Sequence, residues 1–301
     1  MINKVTILDC DPGTDDAMSL FLLKELYKEP NYIISTFGNM PEEYTFKNAV
    51  ILKHLFKMSS DIYRGEEKGI EGTIPTCGDF HGTDGLADLA ENLISELNLS
   101  SEEFKKEDKS YIELLKILED VDEIEYVVTG PLTTLSKIIE KDKIKEKISR
   151  VLIMGGGIKE FNKEHETEYN FSGDPIAVKK VLESGLNIYL FPLDLTHKEV
   201  ISSTKINELK SLNRKPIIIQ VLECNARSNK KYDNLDGAVL HDTLPILFLF
   251  NEDRFKVQDI KVNSDEWGHI EVADNGNKIK VVVELEKDFL FNEIKRGFLK
   301  Q

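Results

Sequence analysis

The chain has 301 residues, 41% of them apolar and 31% charged, enough to bury a sizeable core. Lysine and arginine number 39 against 54 aspartates and glutamates; the net charge of −15 is repelled by phosphate backbones and anionic lipid, which argues against nucleic-acid and membrane binding. Three scattered cysteines, Cys10, Cys77 and Cys224, argue against a disulfide scaffold or a zinc cluster and fit a reducing, cytoplasmic setting.

The first ten residues have no apolar h-region and no small-residue cleavage site, so they read as a first strand rather than a secretory leader. Strand-like apolar runs follow at residues 5–8, 32–37, 125–129, 150–154 and 187–193. Helix-like stretches lie between them at 15–28, 45–57, 85–97, 111–119, 132–141 and 175–183. The charge-rich stretch 98–110 reads as a solvated loop or helix face. Past residue 198 the pattern turns more helical, with later strands near 256–262 and 278–285 and a last helix near 286–299. The longest apolar runs, such as 244–250 broken by Pro245, are far short of a membrane span. No repeat, low-complexity tract or linker interrupts the pattern, so a single domain over 1–301 is expected. The alternation predicts an α/β fold: an open, mostly parallel sheet with helices on both faces and a more helical C-terminal part. Such sheets take ligands at the carboxyl ends of their strands.

Residues Asp9, Asp11, Asp15 and Asp16 place four carboxylates within eight positions, between an apolar strand and an apolar-periodic helix. Pro12-Gly13 supplies the turn, and Thr14 is placed as the helix N-cap. A helix start favours one or two negative charges, by roughly 0.3–1 kcal/mol each, but not four that converge. Helix capping with a solvated acidic loop would account for an isolated pair. Four carboxylates after a buried-type strand raise each other's pKa or require a cation, and all-oxygen donors suit Ca²⁺ or Mg²⁺. The spacing is not that of an EF-hand.

The segment Asp9–Ala17 resembles the Asp-x-Asp-Pro-Gly-x-Asp-Asp-Ala signature of the nucleoside hydrolases, the inosine–uridine preferring ribohydrolase family. Further motifs resemble the family's in order and spacing. They are Gly38-Asn39, His81-Gly82-Thr83-Asp84-Gly85-Leu86, Thr129-Gly130-Pro131-Leu132-Thr133, Met154-Gly155-Gly156, Glu168-Tyr169-Asn170 with Asp174-Pro175, Pro192-Leu193-Asp194-Leu195-Thr196, and His241-Asp242. The resemblance runs from residue 5 to about residue 250.

The resemblance implies hydrolysis of a ribonucleoside to ribose and free base through an oxocarbenium-like sugar. By the same resemblance Asp11, Asp16, Asp242 and the backbone carbonyl of Thr129 ligate Ca²⁺, and Asp15 is the general base toward the water that the ion activates. Asp9 is implied to orient the ligands from behind. Adjacent residues on a helical turn point about 100° apart, so Asp15 and Asp16 are free to serve different partners. The sugar is implied to be held by Asn39, Asn162, Glu168 and Asn170, with Asp15 and Asp242 near its hydroxyls. If residues 168–170 are extended, Glu168 and Asn170 share one face. His241 resembles the histidine that protonates the leaving base, and His81 lies where it would line the base pocket. His54, His165, His197 and His269 read as surface or packing residues. A homodimer or homotetramer is expected from the resemblance alone.

The chain departs from the family pattern at three places. Phe161 precedes Asn162 where a glycine is usual, 242–245 reads Asp-Thr-Leu-Pro, and 267–280 lacks a Thr-Arg-Gly-like element. Two alternatives stay open. A haloacid-dehalogenase-type phosphatase also places Asp-x-Asp after its first strand, but it needs Thr or Val where this chain has Gly13. A non-catalytic ribonucleoside-binding relative would keep the pocket without turnover.

Overall fold

The computed structural model describes residues 3–75 and 77–300. Eleven strands lie among the described residues: β1 Lys4–Cys10, β2 Tyr32–Ser35, β3 Asp61–Arg64, β4 Glu123–Val128, β5 Ile148–Met154, β6 Ile188–Phe191, β7 Val200–Ser202, β8 Gly237–Val239, β9 Phe255–Ser264, β10 Ile270–Val272 and β11 Asn277–Leu285. Nine of them form one sheet in the order β10-β9-β11-β6-β5-β4-β1-β2-β3, and β7 and β8 form a small antiparallel pair. From β3 to β11 every neighbouring pair is parallel, while β9 runs antiparallel to both β11 and β10. The open, mostly parallel sheet expected from the alternation is therefore present.

β1 lies inside the sheet, third from its β3 edge, with side chains buried on both faces. Val5 and Ile7 enter one apolar cluster, with Tyr126, Val128 and Ile153; Leu8 and Cys10 enter the other, with Val127, Leu152 and Phe191. The chain leaves β1 toward β2 and β3, then returns to β4 on the opposite side. A reversal of this kind opens a crevice at the strand ends, here between β1 and β4.

The helix Thr14–Leu26 follows β1 and is buried continuously through Leu23, being covered by the helices Pro216–Tyr232, Thr243–Phe250 and Phe289–Leu299. Its N-cap is Gly13, not Thr14. The Gly13 N–H is taken by the Asp16 carboxylate at 3.0 Å, and the Thr14 hydroxyl points to His81 instead. The helix foreseen from residue 85 begins only at Ala90. Gly85, Ala87 and Asp88 have left-handed φ, and the Asp84 carboxylate takes the N–H groups of Leu86, Asp88 and Ala90. Residues 169–173 are helical rather than extended, with Glu168 as N-cap. Pro245 falls in the first turn of its helix, where it is tolerated. Past residue 198 three helices, Ser203–Ser211, Pro216–Tyr232 and Thr243–Phe250, precede the last three strands of the large sheet. The turn between β9 and β10 braces the loop after β5: His165 stacks on Trp267 with ring centroids 4.1 Å apart, and the His269 Nδ1–H donates to the Glu166 carbonyl at 2.7 Å. No described helix is long and apolar enough to cross a membrane.

Candidate active site

The crevice between β1 and β4 is floored by carboxylates brought in by strand ends and helix starts. Asp11 follows β1; its Oδ2 accepts the Asn39 backbone N–H at 2.7 Å, and the Asn39 side-chain amide donates to the Asp11 carbonyl at 3.0 Å. The Gly38 backbone passes so close that a Cβ there would sit 2.0 Å from Asp11 Oδ2, so only glycine fits. Asp16 is held by the Gly13 N–H on one oxygen and by the Thr129 hydroxyl, at 2.8 Å, on the other. Asp15 lies in the same helical turn, and Asp242 stands at the N-cap position of the helix Thr243–Phe250 without bonding its backbone N–H groups. One oxygen from each of Asp15, Asp16 and Asp242 falls within 4.8 Å of the others, and all three residues are buried. Two helix starts thus turn their positive ends toward one acidic cluster.

Those positive ends do not neutralise it. Burial pushes the carboxyls of Asp11, Asp15, Asp16 and Asp242 above the ordinary range; the Asp16 charge adds to the rise at Asp11 and Asp15, and Asp15 adds to it at Asp242. Asp11 Oδ1 and Asp15 Oδ1 are buried with no hydrogen-bond partner. Orphaned oxygens amid converging acids are what a bound cation relieves, so the residues fit a divalent ion. Asp9 lies behind the floor. It accepts from the Tyr126 hydroxyl at 2.9 Å, its other oxygen has no partner, and burial pushes its carboxyl up to about 8.

On one side of the floor, Glu168 caps its short helix and accepts three backbone N–H groups, from Gly156, Asn170 and Phe171, at 2.9 to 3.1 Å. Burial pushes it up to about 7 against the pull of those donors. The Asn170 side chain donates to the Thr129 carbonyl at 2.8 Å and so ties this side to the strand end of β4. Asn39 Oδ1 accepts from the Cys77 thiol at 3.3 Å. Asn162 stands exposed at the rim beside Lys163, whose ammonium lies 4.5 Å over the Tyr169 ring.

The opposite wall is aromatic and imidazole-rich. His81 is buried; its Nδ1 meets the Thr14 N–H and hydroxyl and lies 3.8 Å from Asp15 Oδ1. Phe80 packs on His81 and on Tyr232, which comes from the end of the helix Pro216–Tyr232. His241 Nδ1 is 2.8 Å from the Thr196 hydroxyl, and the His197 ring meets it edge-on at 5.6 Å. Burial lowers both His81 and His241 to about 3, which keeps both rings neutral near neutral pH.

These walls enclose about 410 Å³, a volume that suits a small molecule of nucleoside size. The sequence-predicted residues Asp15, Asn39, His81, Thr129, Asn162, Glu168, Asn170, His241 and Asp242 all border it; Asp11 and Asp16 sit beneath, and Asp9 lies deeper. Phe80, Lys163, Tyr232 and Asp233 border it as well and carry no motif of their own. His197, expected at the surface or in packing, also lines the cavity; its place directly after the Pro192–Thr196 motif was the available signal.

A family model described as inosine-uridine preferring nucleoside hydrolase matches residues 6–292. A pyrimidine-specific ribonucleoside hydrolase of a Shewanella species is 30% identical over 269 residues, covering 86% of this chain and 81% of the relative. Its counterpart from an Enterobacter species is 29% identical over 272 residues, covering 87% and 84%. Among solved structures, a plant nucleoside hydrolase superposes with a TM-score of 0.85 at 21% identity, covering 99% of this chain and all of its own. A purine-preferring ribonucleoside hydrolase from Gardnerella vaginalis gives 0.82 at 21% identity, with 98% of each chain covered. The full-length match sets aside the phosphatase alternative. The chain belongs to the inosine–uridine preferring nucleoside hydrolase family and is a nucleoside hydrolase.

Proposed function

We propose that the enzyme cleaves the N-glycosidic bond of ribonucleosides with Asp15 as general base and Ca²⁺ as cofactor. The observation that carries this is the meeting of Asp15, Asp16 and Asp242 beside the buried Asp11, with one oxygen of Asp11 and one of Asp15 left without a partner. The donors are all hard oxygens, which fits Ca²⁺ better than zinc. Asp11, Asp16, Asp242 and the Thr129 carbonyl, which keeps a lone pair beyond its bond to Asn170, would hold the ion. When bound, Ca²⁺ lowers the pKa of a water molecule and fixes its position.

The remaining steps belong to the chain's own groups. Asp15 borders the cavity beside the proposed ion ligands and would take the proton of the attacking water. The water oxygen bonds to the anomeric carbon, the C–N bond breaks, and its electron pair leaves with the base. Glu168 keeps a carboxylate against the sugar as positive charge develops there, locked by its three backbone donors. Asn39, Asn162 and Asn170 join it in binding the ribose. His241 meets the base as a neutral N–H donor and hydrogen-bonds the atom on which negative charge builds; the departed base takes its proton from solvent. His81 contributes to the same base wall, and Asp9 steadies the floor from behind.

We further propose that residues 1–301 act as one hydrolase unit, cytoplasmic and assembled as a homodimer or homotetramer. The deciding experiment is a panel of ribonucleosides assayed for free ribose with and without a chelator. Uridine and cytidine come first, since relatives at 28–30% identity are named for pyrimidines. Release that stops with chelation and returns with Ca²⁺ supports the reading. Tight nucleoside binding with no base released would favour the non-catalytic alternative.

A further inference from the structure

We infer that Thr14 and Asn225 are positioning residues that hold His81 in the tautomer with its proton on Nε2, so that His81 faces the departing base as a neutral hydrogen-bond donor. The inference rests on the reading of this cavity as a nucleoside site. The helix Thr14–Leu26 leaves its first backbone N–H groups without intrahelical partners, and that of Thr14 donates to His81 Nδ1 at 3.1 Å. An N–H can donate there only to a lone pair, and the proton of a neutral imidazole then lies on Nε2. The Thr14 hydroxyl is 2.8 Å from the same nitrogen and must be the donor, because Nδ1 has no proton to give. Its own lone pair receives the side-chain N–H of Asn225 at 3.2 Å.

Asn225 is fully buried on the helix Pro216–Tyr232, and its amide has a fixed orientation. Its Oδ1 accepts the Val239 backbone N–H at 3.0 Å and the Asn229 side-chain N–H at 2.6 Å; a flipped amide would set donors against donors. Direction therefore passes from β8 through Asn225 and the Thr14 hydroxyl to His81, donor to acceptor at every link. Among the described residues the hydrogen bonds of the His81 ring are all made at Nδ1, and the ring lines the cavity. The positive end of the helix against Nδ1 also disfavours an imidazolium, leaving a neutral donor of the kind that polarises a substrate oxygen or nitrogen.

The test reads the ring itself. In ¹⁵N-labelled protein, His81 signals assigned by their loss in His81→Gln should show an unprotonated Nδ1 and a protonated Nε2. In Asn225→Asp the carboxylate takes the Thr14 hydroxyl proton and turns the hydroxyl lone pairs toward Nδ1, so the two nitrogen signals should move toward each other. Thr14→Val removes the same donor without touching Asn225 and serves if Asn225→Asp fails to fold; Thr14→Ser should restore the spectrum. kcat/KM for natural nucleosides should fall about tenfold in Asn225→Asp and Thr14→Val and recover in Thr14→Ser, while a nitrophenyl riboside, which needs no donor to leave, should change less than about twofold. A wild-type His81 carrying its proton on Nδ1, or ring signals unmoved in both variants, overturns the inference. Equal losses on both substrates also overturn it, by reducing the network to a structural one. The spectrum is readable whether or not nucleosides are hydrolysed, so a failure of the relay is distinguishable from a failure of the proposed function.

Discussion

The floor and the far wall of the cavity are held by different means. On the floor, Asp11, Asp16 and Glu168 are gripped by backbone N–H groups and by Thr129, all belonging to strand ends or helix starts. At the far wall, Phe80, Tyr232 and His241 are set by ring packing and single side-chain bonds, and Tyr232 is steadied by the exposed Asp79 and Lys231. Groups that must meet a reacting atom are fixed by the sheet's own geometry. Apart from His81, which the start of the helix Thr14–Leu26 holds, the far-wall groups hang on side chains that can change without disturbing the sheet.

The sharpest way to break this contrast is at the floor. Asp11→Ala should abolish both Ca²⁺ binding, measured by calorimetry, and ribose release. Asp15→Asn should keep much of the binding while turnover falls ~1000-fold, within the usual range for loss of a general base; normal turnover would remove Asp15 from that role. A 2′-deoxynucleoside should react ~100-fold or more slowly than its ribose counterpart, because a site built to bond a hydroxyl leaves buried groups unpaired without it. At the wall, His241→Ala should slow natural nucleosides by tens of fold and a nitrophenyl riboside far less. Equal slowing of the two would take His241 out of leaving-group departure.

The smallest effect concerns stability at Glu168. Its folded pKa, about 7, lies above the ordinary value of 4.5, so between those pH values the folded chain holds a proton that the unfolded chain has lost. The Glu168 contribution therefore favours folding below pH 4.5, declines as pH rises to about 7, and is flat beyond. Denaturant titrations should show the wild type losing ~1–3 kcal/mol more than Glu168→Gln across that interval. Identical slopes for the two proteins would contradict it.

Much of the floor was legible in the sequence because its residues are close in the chain and punctuated by turn chemistry. The cluster from Asp9 to Asp16 spans one strand end, one turn and one helix start, which local rules read directly. β3, β7, β8 and β10 escaped notice: each is three or four residues long, too short for periodicity to detect, and β3, β7 and β8 exist through pairing with strands distant in sequence. Thr14 was misread as a cap for the same reason, since its true partner, His81, lies 67 residues away. Tyr232 and Asp233 reach the cavity only because their helix packs across Thr14–Leu26, a tertiary fact with no local signature.

The stack of His165 on Trp267 gives the enzyme an optical handle. This is the chain's sole indole, and it rests on the strip of loop that bears Asn162 and Lys163 at the mouth. A shift of that strip that parted the two rings would alter the fluorophore's emission, so nucleoside titration of the unlabelled protein can be read by tryptophan fluorescence.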